Sequence, residues 1–156
     1  MNLEKENFLK SELVPCLQRL DPSTPPAWGK MNMHQMIEHY ADAVMISSGK
    51  LKLPGVNEGE RLIKFHQFLM SEKPFLPNTK NPLMSEEPAP IKRNTVQASI
   101  GKLKEEMIYF FDVFEKNPQL TTLNPFFGNL NFEENIQLLY KHALHHLKQF
   151  GASPVK

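Results

Sequence analysis

The stretch NFEENIQLLYKHALHHLKQF, residues 131–150, decides the fold because it combines a helical apolar pattern with three histidines. At about 100° per residue, His146 lies inside the apolar stripe of the predicted helix and His142 lies at its edge. His145 points to the opposite, solvent-facing side. Two histidines spaced four residues apart are therefore expected to face the interior. The stripe itself consists of Phe132, Ile136, Leu139, Ala143, Leu147 and Phe150.

The spacing of His142 and His146 suits a metal ion. Residues four apart on a helix have Cβ atoms roughly 5–6 Å apart, so both rings can reach one ion through Zn–N bonds of about 2.0–2.1 Å. His39 is the best candidate for a third ligand, because it borders the buried stripe of an earlier predicted helix. His34 borders the other edge of that stripe, and the residues alone leave both open. The alternative is a set of hydrogen-bonded core histidines, with His66 in a core or surface role.

Two helices are predicted near the start of the chain, each with an apolar stripe that packs on the core. The first lies within residues 9–20 and contains Pro15, which must kink the helix or start its second half. The second begins at a capping box formed by Asn32 and Gln35 and ends near residues 47–49.

A third predicted helix, residues 58–71, has two candidate buried faces. One face contains Ile63 and Met70, and the other contains Phe65 and Phe68. The pattern does not decide between them.

A fourth predicted helix begins at Asn94 or Thr95 and ends at Asn117, and the histidine-bearing helix begins at a capping box of Asn131 and Glu134. No segment alternates convincingly with period two, and the chain has no internal repeat. The expected fold class is therefore all-α, a four-helix bundle with the N-terminal helix as an additional fifth element.

Residues 72–93 contain five prolines and little periodicity, which predicts a long loop. Loops of this length inside a compact domain are usually functional or mobile. We expect the loop to lie over or beside the end of the bundle that carries the metal. Its apolar side chains could wall a pocket without regular structure; they are Phe75, Leu76, Leu83 and Met84.

Composition predicts one soluble domain over residues 1–156. Eighteen Lys and Arg against seventeen Asp and Glu leave a net charge of +1, so no global field recruits nucleic acid or an anionic membrane. The single cysteine, Cys16, excludes an internal disulfide. Glu4 and Glu6 lie where a signal peptide would need basic and apolar residues, and no apolar run approaches the ~20 residues of a membrane span. We therefore expect a cytoplasmic protein.

Several catalytic patterns do not occur in the sequence. Ala143 and Leu144 follow His142, so there is no HExxH motif. The paired Glu-x-x-His arrangement of di-iron bundles, a glycine-rich phosphate loop and a G-x-S-x-G elbow are also lacking. If a metal binds, three neutral imidazoles and a water remain, which is the ligand set of a catalytic site.

Two motifs together resemble the DinB-like superfamily, specifically one of its bacterial domain families. They are WGKMNMHQMIEHY at residues 28–40 and NPFFGNLNFEE followed by HALHHLKQFG within residues 124–151, and the resemblance covers nearly the whole chain. It implies an up-down-down-up four-helix bundle in which three histidines hold a divalent metal, Zn²⁺ or Ni²⁺. These carry over onto His39, His142 and His146. Relatives often have a histidine where this chain has Asn124.

The resemblance also implies a class of function. The superfamily includes metal-dependent thiol transferases and isomerases that use low-molecular-weight thiols, beside members described as hydrolases. We therefore expect a metal-dependent enzyme that activates a water or a small thiol toward a small-molecule substrate. No general base can be assigned, because Glu38 and Asp42 flank His39 but point away from the buried stripe. Related bundles often associate as dimers, so a homodimer is expected.

Two other functions stay open on the sequence alone. A non-catalytic metal-binding or stress-response module would keep the bundle and the ion without turnover. A plain helical scaffold would keep the histidines as hydrogen-bonded core groups and bind no metal.

Overall fold

The structure is a computed structural model that describes residues 2–79, 83 and 87–152. It is mostly helical, as predicted, with one small antiparallel sheet in the described residues. Among the helices of these residues, none combines the length and apolarity that crossing a bilayer requires. The elements in chain order are α1 (Leu3–Asn7), a π-helical segment (Phe8–Glu12), α2 (Leu13–Gln18), α3 (Met33–Ser47), α4 (Gly59–Met70), α5 (Val96–Lys116), β1 (Thr122–Asn124), β2 (Gly128–Leu130) and α6 (Phe132–Gln149).

The N-terminal helical run changes its winding ahead of Pro15. α1 passes through the π-helical segment into α2, and Pro15 lies in the first turn of α2. A proline is tolerated there, because the first backbone N–H groups of a helix have no intrahelical acceptor. The prediction that Pro15 kinks the helix or starts its second half is therefore confirmed.

Side-chain caps fix where the three long helices begin. The Asn32 side chain accepts from the Gln35 amide at 2.8 Å while the Gln35 side chain accepts from the Asn32 amide at 3.0 Å. Asn131 and Glu134 form the same reciprocal pair at the start of α6, both at 2.9 Å. The Thr95 hydroxyl caps α5. These predicted caps are confirmed, and they set the rotation at which the α3 and α6 histidines project.

The main core joins four helical parts: the N-terminal run, α3, α5 and α6. α3 lies between α5 and α6 and contacts both. Residues at the centre are fully enclosed, and they include Ile37, Val44, Leu103, Phe110 and Leu139.

α4 packs outside this core, in a smaller cluster around Leu69. Its Phe65 and Phe68 are partly buried, whereas Ile63 is 58% exposed and Met70 is 45% exposed. Of the two predicted faces, the structure therefore selects the one with the two phenylalanines.

The prediction that no strand is present is wrong at one place, where β1 and β2 form an antiparallel hairpin. Its loop is residues 125–127, and Gly128 follows with φ +82°, the left-handed conformation that a three-residue hairpin loop uses. The Asn124 side chain accepts from the amides of Phe126 and Phe127 at 2.9 and 3.2 Å. Strands of three residues are too short to display a period of two, which explains the miss.

Candidate metal centre

Three histidines from two helices converge at one point of the structure. His39 projects from α3, and His142 and His146 project from one face of α6. The Nε2 atoms of His39 and His142 are 3.2 Å apart, and those of His142 and His146 are 2.8 Å apart. One ligand atom from each ring lies within 4.8 Å of the other two. These are the three residues that the resemblance implied.

Tyr40 fixes the relative position of the two helices beside the cluster. Its hydroxyl donates to the Leu139 carbonyl of α6 at 2.7 Å, and its ring lies 5.2 Å from that of His142. Tyr40 is buried, so this bond ties α3 to α6 one residue after His39. The contact holds the His39 ring at the level of the α6 pair.

Burial keeps the imidazoles neutral. It lowers the pKa of His39 to about 4, with a smaller contribution from His145, and it lowers that of His146 to about 3, with a contribution from His39. Burial also lowers the pKa of His142 well below its ordinary value, with contributions from His146 and His39. Near neutral pH each ring is therefore uncharged, and the neutral ring has the lone pair that binds a metal.

The three neutral rings do not carry enough protons to form a hydrogen bond at both of the short Nε2–Nε2 contacts. His146 uses its Nδ1 proton on the Gln149 side-chain oxygen at 2.8 Å, so its Nε2 can only accept. His142 Nε2 would then have to donate, and the same single proton would have to serve His39 as well. A shared cation removes this conflict, because all three nitrogens can then point lone pairs at it.

The donor set fits a borderline divalent ion. Imidazole nitrogens suit Zn²⁺ and Ni²⁺ better than Mg²⁺ or Ca²⁺, which prefer oxygen. Zn–N bonds of about 2.0–2.1 Å in a tetrahedral site separate two ligand nitrogens by about 3.3 Å. The 3.2 Å between His39 and His142 is close to this separation, and the 2.8 Å between His142 and His146 is shorter. The residues present therefore fit the metal that the resemblance implies.

Two further histidines lie away from the cluster. His34 Nε2 contacts the Ser99 hydroxyl at 2.8 Å, and that hydroxyl donates to Glu38. His66 contacts a Glu134 carboxylate oxygen at 2.5 Å, which joins α4 to the start of α6. Both rings therefore have partners that account for them without a metal.

His145 departs from its prediction. The ring is partly buried rather than solvent-facing, because Trp28 packs on it at 5.2 Å between ring centroids. Its Nδ1 donates to the Phe75 carbonyl at 3.3 Å. His145 thus lies beside the three-histidine cluster without belonging to it, and the periodicity could not show that two loops cover this side of α6.

Phe75, in the described part of the proline-rich segment, lies beside the cluster. The Phe75 ring lies 6.3 Å from that of His142, so the prediction that this segment contacts the site is confirmed for Phe75. It is wrong for Leu76, which is 66% exposed, and Leu83 is exposed as well. Met84 lies outside the described residues.

The helical angle of Glu38 predicts a side chain that points away from the buried stripe toward solvent. In the structure Glu38 is buried instead. It is 8% exposed and accepts from the Lys92 amide at 2.7 Å, the Ser99 hydroxyl at 2.9 Å and the Arg93 amide at 3.1 Å. It therefore anchors the end of the proline-rich segment between α3 and α5. Asp42 is partly exposed, near the Lys92 ammonium group at 4.0 Å. Neither carboxylate joins the histidine group.

Two contributors to the site, Gln149 and Trp28, were not predicted from the sequence. Gln149 bonds His146, and its amide nitrogen donates to the Trp28 carbonyl at 3.0 Å. The first contact had a signal, since residues three apart on a helix are neighbours. The second had none, because it joins positions far apart in the chain.

Fold and site define a mostly helical protein with a candidate three-histidine metal centre. Comparison of the chain with family models, with curated proteins and with solved structures finds no match. Membership of the DinB-like superfamily therefore stays a prediction.

Proposed function

We propose that the chain is a metal-dependent enzyme of the DinB-like superfamily that acts on a small-molecule substrate. His39, His142 and His146 hold one divalent cation, Zn²⁺ or Ni²⁺. The convergence of three neutral imidazoles from α3 and α6 carries the proposal. The bound cation supplies Lewis acidity, which lowers the pKa of a water or a thiol and yields a nucleophile near neutral pH.

The core supports the bundle arrangement that belongs to this proposal. The N-terminal run, α3, α5 and α6 share it, and α4 packs on a separate cluster. We therefore assign the up-down-down-up bundle to those four parts and treat α4, rather than the N-terminal helix, as the additional element. The homodimer and the cytoplasmic location stay predictions.

The side chains around the cluster bind and orient rather than transfer protons. Three neutral ligands leave the full charge of a divalent cation uncompensated, which favours an anionic partner such as a thiolate. Phe75 and Trp28 provide aromatic surface next to His142 and His145. Glu38, the nearest carboxylate to His39 in sequence, is occupied in anchoring the loop.

Of the two reactions, transfer of a small thiol fits this environment better than hydrolysis. A thiol with a pKa of about 8.5 needs a small shift to ionise, whereas water at about 15.7 needs a large one. No carboxylate joins the ligand group among the described residues to help the water. Thiol transfer is therefore the first reaction to test.

Elemental analysis of the purified chain, followed by turnover assays, tests the function. We expect about one Zn²⁺ or Ni²⁺ per chain, and metal-dependent consumption of a low-molecular-weight thiol with an electrophile such as a chlorodinitrobenzene. An ester substrate in a parallel assay separates hydrolysis from thiol transfer. Metal without turnover of either kind would favour the non-catalytic metal-binding or stress-response module, and a chain without metal would favour the scaffold.

A further inference from the structure

Two buried glutamines on α6 differ in what their side-chain oxygens accept. Gln149 is 5% exposed and Gln137 is 7% exposed. Both amide nitrogens donate to backbone carbonyls of neighbouring segments, that of Gln149 to Trp28 and that of Gln137 to Leu69. The oxygen of Gln137 accepts from Lys5 at 2.6 Å, whereas that of Gln149 faces His146 Nδ1 at 2.8 Å. Only Gln149 contacts a candidate metal ligand.

The partners of Gln149 fix the direction of both its bonds. A backbone carbonyl can only accept, so the group facing Trp28 must be the amide nitrogen. The Gln149 oxygen therefore faces His146, whose Nδ1 must carry the proton of the neutral ring. The lone pair of His146 is consequently on Nε2, the atom that faces His142 at 2.8 Å.

The chain segment before α3 holds Gln149 in place. The Ala27 amide donates to the Gln149 backbone carbonyl at 2.7 Å, so this residue is bound through its main chain as well as its side chain. Gly29 has φ +75°, a conformation that L side chains rarely adopt, and a Cβ there would lie 3.5 Å from the Gln149 amide nitrogen. That distance would be an ordinary contact, so it is the backbone conformation of Gly29 rather than a lack of space that favours glycine.

We propose that Gln149 is a positioning residue for the metal, a role that rests on the three-histidine site of the proposed function. It holds His146 as the Nδ1–H tautomer and aims Nε2 at the point that the three rings share. The Trp28 carbonyl sets the orientation of Gln149 in turn. Removing a hydrogen-bond partner of this kind typically costs 10–100-fold in metal affinity.

Three variants separate positioning from ordinary stability. Gln149→Met keeps the length of the side chain and removes both bonds, and Gln149→Glu keeps an acceptor for His146 while losing the donor to Trp28. Gln137→Met is the matched control, a buried glutamine of the same helix that bonds no candidate ligand. The probe is Zn²⁺ alone, measured by competition with a chromophoric chelator, and each melting temperature is measured without metal.

We expect Gln149→Met to bind Zn²⁺ roughly 10–100-fold more weakly than the unmodified chain. Gln149→Glu should restore most of that loss, and Gln137→Met should lower the melting temperature without changing the affinity. A second readout needs no metal: nitrogen NMR of the metal-free protein should show His146 as the Nδ1–H tautomer, and a mixture of tautomers in Gln149→Met.

The outcomes distinguish this proposal from the proposed function. If the unmodified chain binds no Zn²⁺, the proposed function fails. If it binds Zn²⁺ and Gln149→Met binds equally well, the positioning role alone is overturned. Should Gln149→Met fail to fold, the tautomer of the unmodified chain decides: the proton on His146 Nε2 would overturn the role.

Discussion

His145 and His146 are adjacent in sequence but lie in different chemical settings. The Nε2 of His146 faces the other two imidazoles of the cluster. His145 donates a hydrogen bond from Nδ1 to the Phe75 carbonyl and packs against Trp28. A ring outside the ligand group contributes nothing directly to an ion, so adjacency by itself predicts no role in metal binding.

We therefore expect His142→Ala or His146→Ala to abolish metal retention and His145→Ala to leave it nearly intact. Loss of one of three protein ligands removes a large part of the binding energy and opens the site to water. Metal content after exhaustive dialysis measures the difference. His34→Ala is a further control, because that ring contacts Ser99 and not the cluster. Equal losses in all of these variants would contradict the assignment.

Tyr40 contributes to the same region through one buried hydrogen bond. Burial raises the pKa of its hydroxyl, so the group stays protonated and donates to the Leu139 carbonyl at 2.7 Å. Tyr40→Phe removes the donor and leaves the ring in place. We expect a loss of about 1–1.5 kcal/mol in the free energy of unfolding, measured by urea denaturation. An unchanged midpoint would show that the bond does not hold α3 to α6.

At the scale of elements, Glu38 joins three parts of the fold that the sequence keeps apart. Burial alone would raise its pKa, but the hydrogen bonds from Lys92, Ser99 and Arg93 outweigh burial and lower it. The carboxylate is thus ionised near neutral pH and satisfies two backbone amides at the end of the proline-rich segment.

Glu38→Ala leaves those amides without their acceptor. We expect the free energy of unfolding to fall by roughly 1–3 kcal/mol, since hydrogen bonds to a charged acceptor are lost and the two amides are only partly buried. Asp42→Asn, which changes a partly exposed carboxylate of the same helix, should stay within about 0.5 kcal/mol. Chemical denaturation of both variants at pH 7 measures this, and similar effects from the two would remove the anchoring role.

Local signals in the sequence predicted the elements better than the contacts between them. The capping pairs at Asn32 and Asn131 involve residues three apart, so they could be read directly and are confirmed. The β1–β2 hairpin is too short for its pattern to appear. The burial of Glu38 depends on a loop more than fifty residues later in the chain, and no periodicity on α3 can register it.

The candidate site could likewise be predicted where it depends on residues close in sequence, and not where it depends on contacts between distant segments. The spacing of His142 and His146 places them on one face of a helix. His39 was a candidate because it borders the buried stripe of its helix and because the resemblance implied it. The link from Gln149 to Trp28 joins residues 121 positions apart, which only a folded chain can reveal.

For the whole molecule, the candidate site exists only when the chain is folded. His39 and His142 are 103 positions apart, and the contact between α3 and α6 brings them together. In the unfolded chain the three rings are separate and solvated. A cation that binds all three therefore binds the folded state preferentially and stabilises it by mass action.

The same three rings make stability depend on pH, with a sign that follows from their burial. Their pKa values are lowered in the folded state, so below the ordinary histidine value of about 6.5 the unfolded chain takes up protons that the folded chain does not. The free energy of unfolding of the metal-free protein should therefore be highest above pH 6.5. It should fall as pH drops toward 4, the pKa of His39, by up to about 1.4 kcal/mol per pH unit for each ring that stays neutral in the fold.

Metal should raise the melting temperature above that of the metal-free protein. At a hundredfold excess of free ion over its dissociation constant, the gain is about 2.7 kcal/mol, or roughly 5–10 °C for a domain of this size. Because burial already keeps the three ligands neutral in the folded chain, the gain should persist below pH 6.5 and disappear only as the pH falls toward 4, the pKa of His39. Melting curves of Zn²⁺-loaded and chelator-treated protein between pH 7.5 and about 4.5 measure both effects, since that interval spans the titration of unfolded histidine. If the two sets of curves coincide throughout, the three rings bind no metal; if both sets lose stability across the interval while the gain from metal persists, the rings are neutral in the folded chain and bind the ion as described.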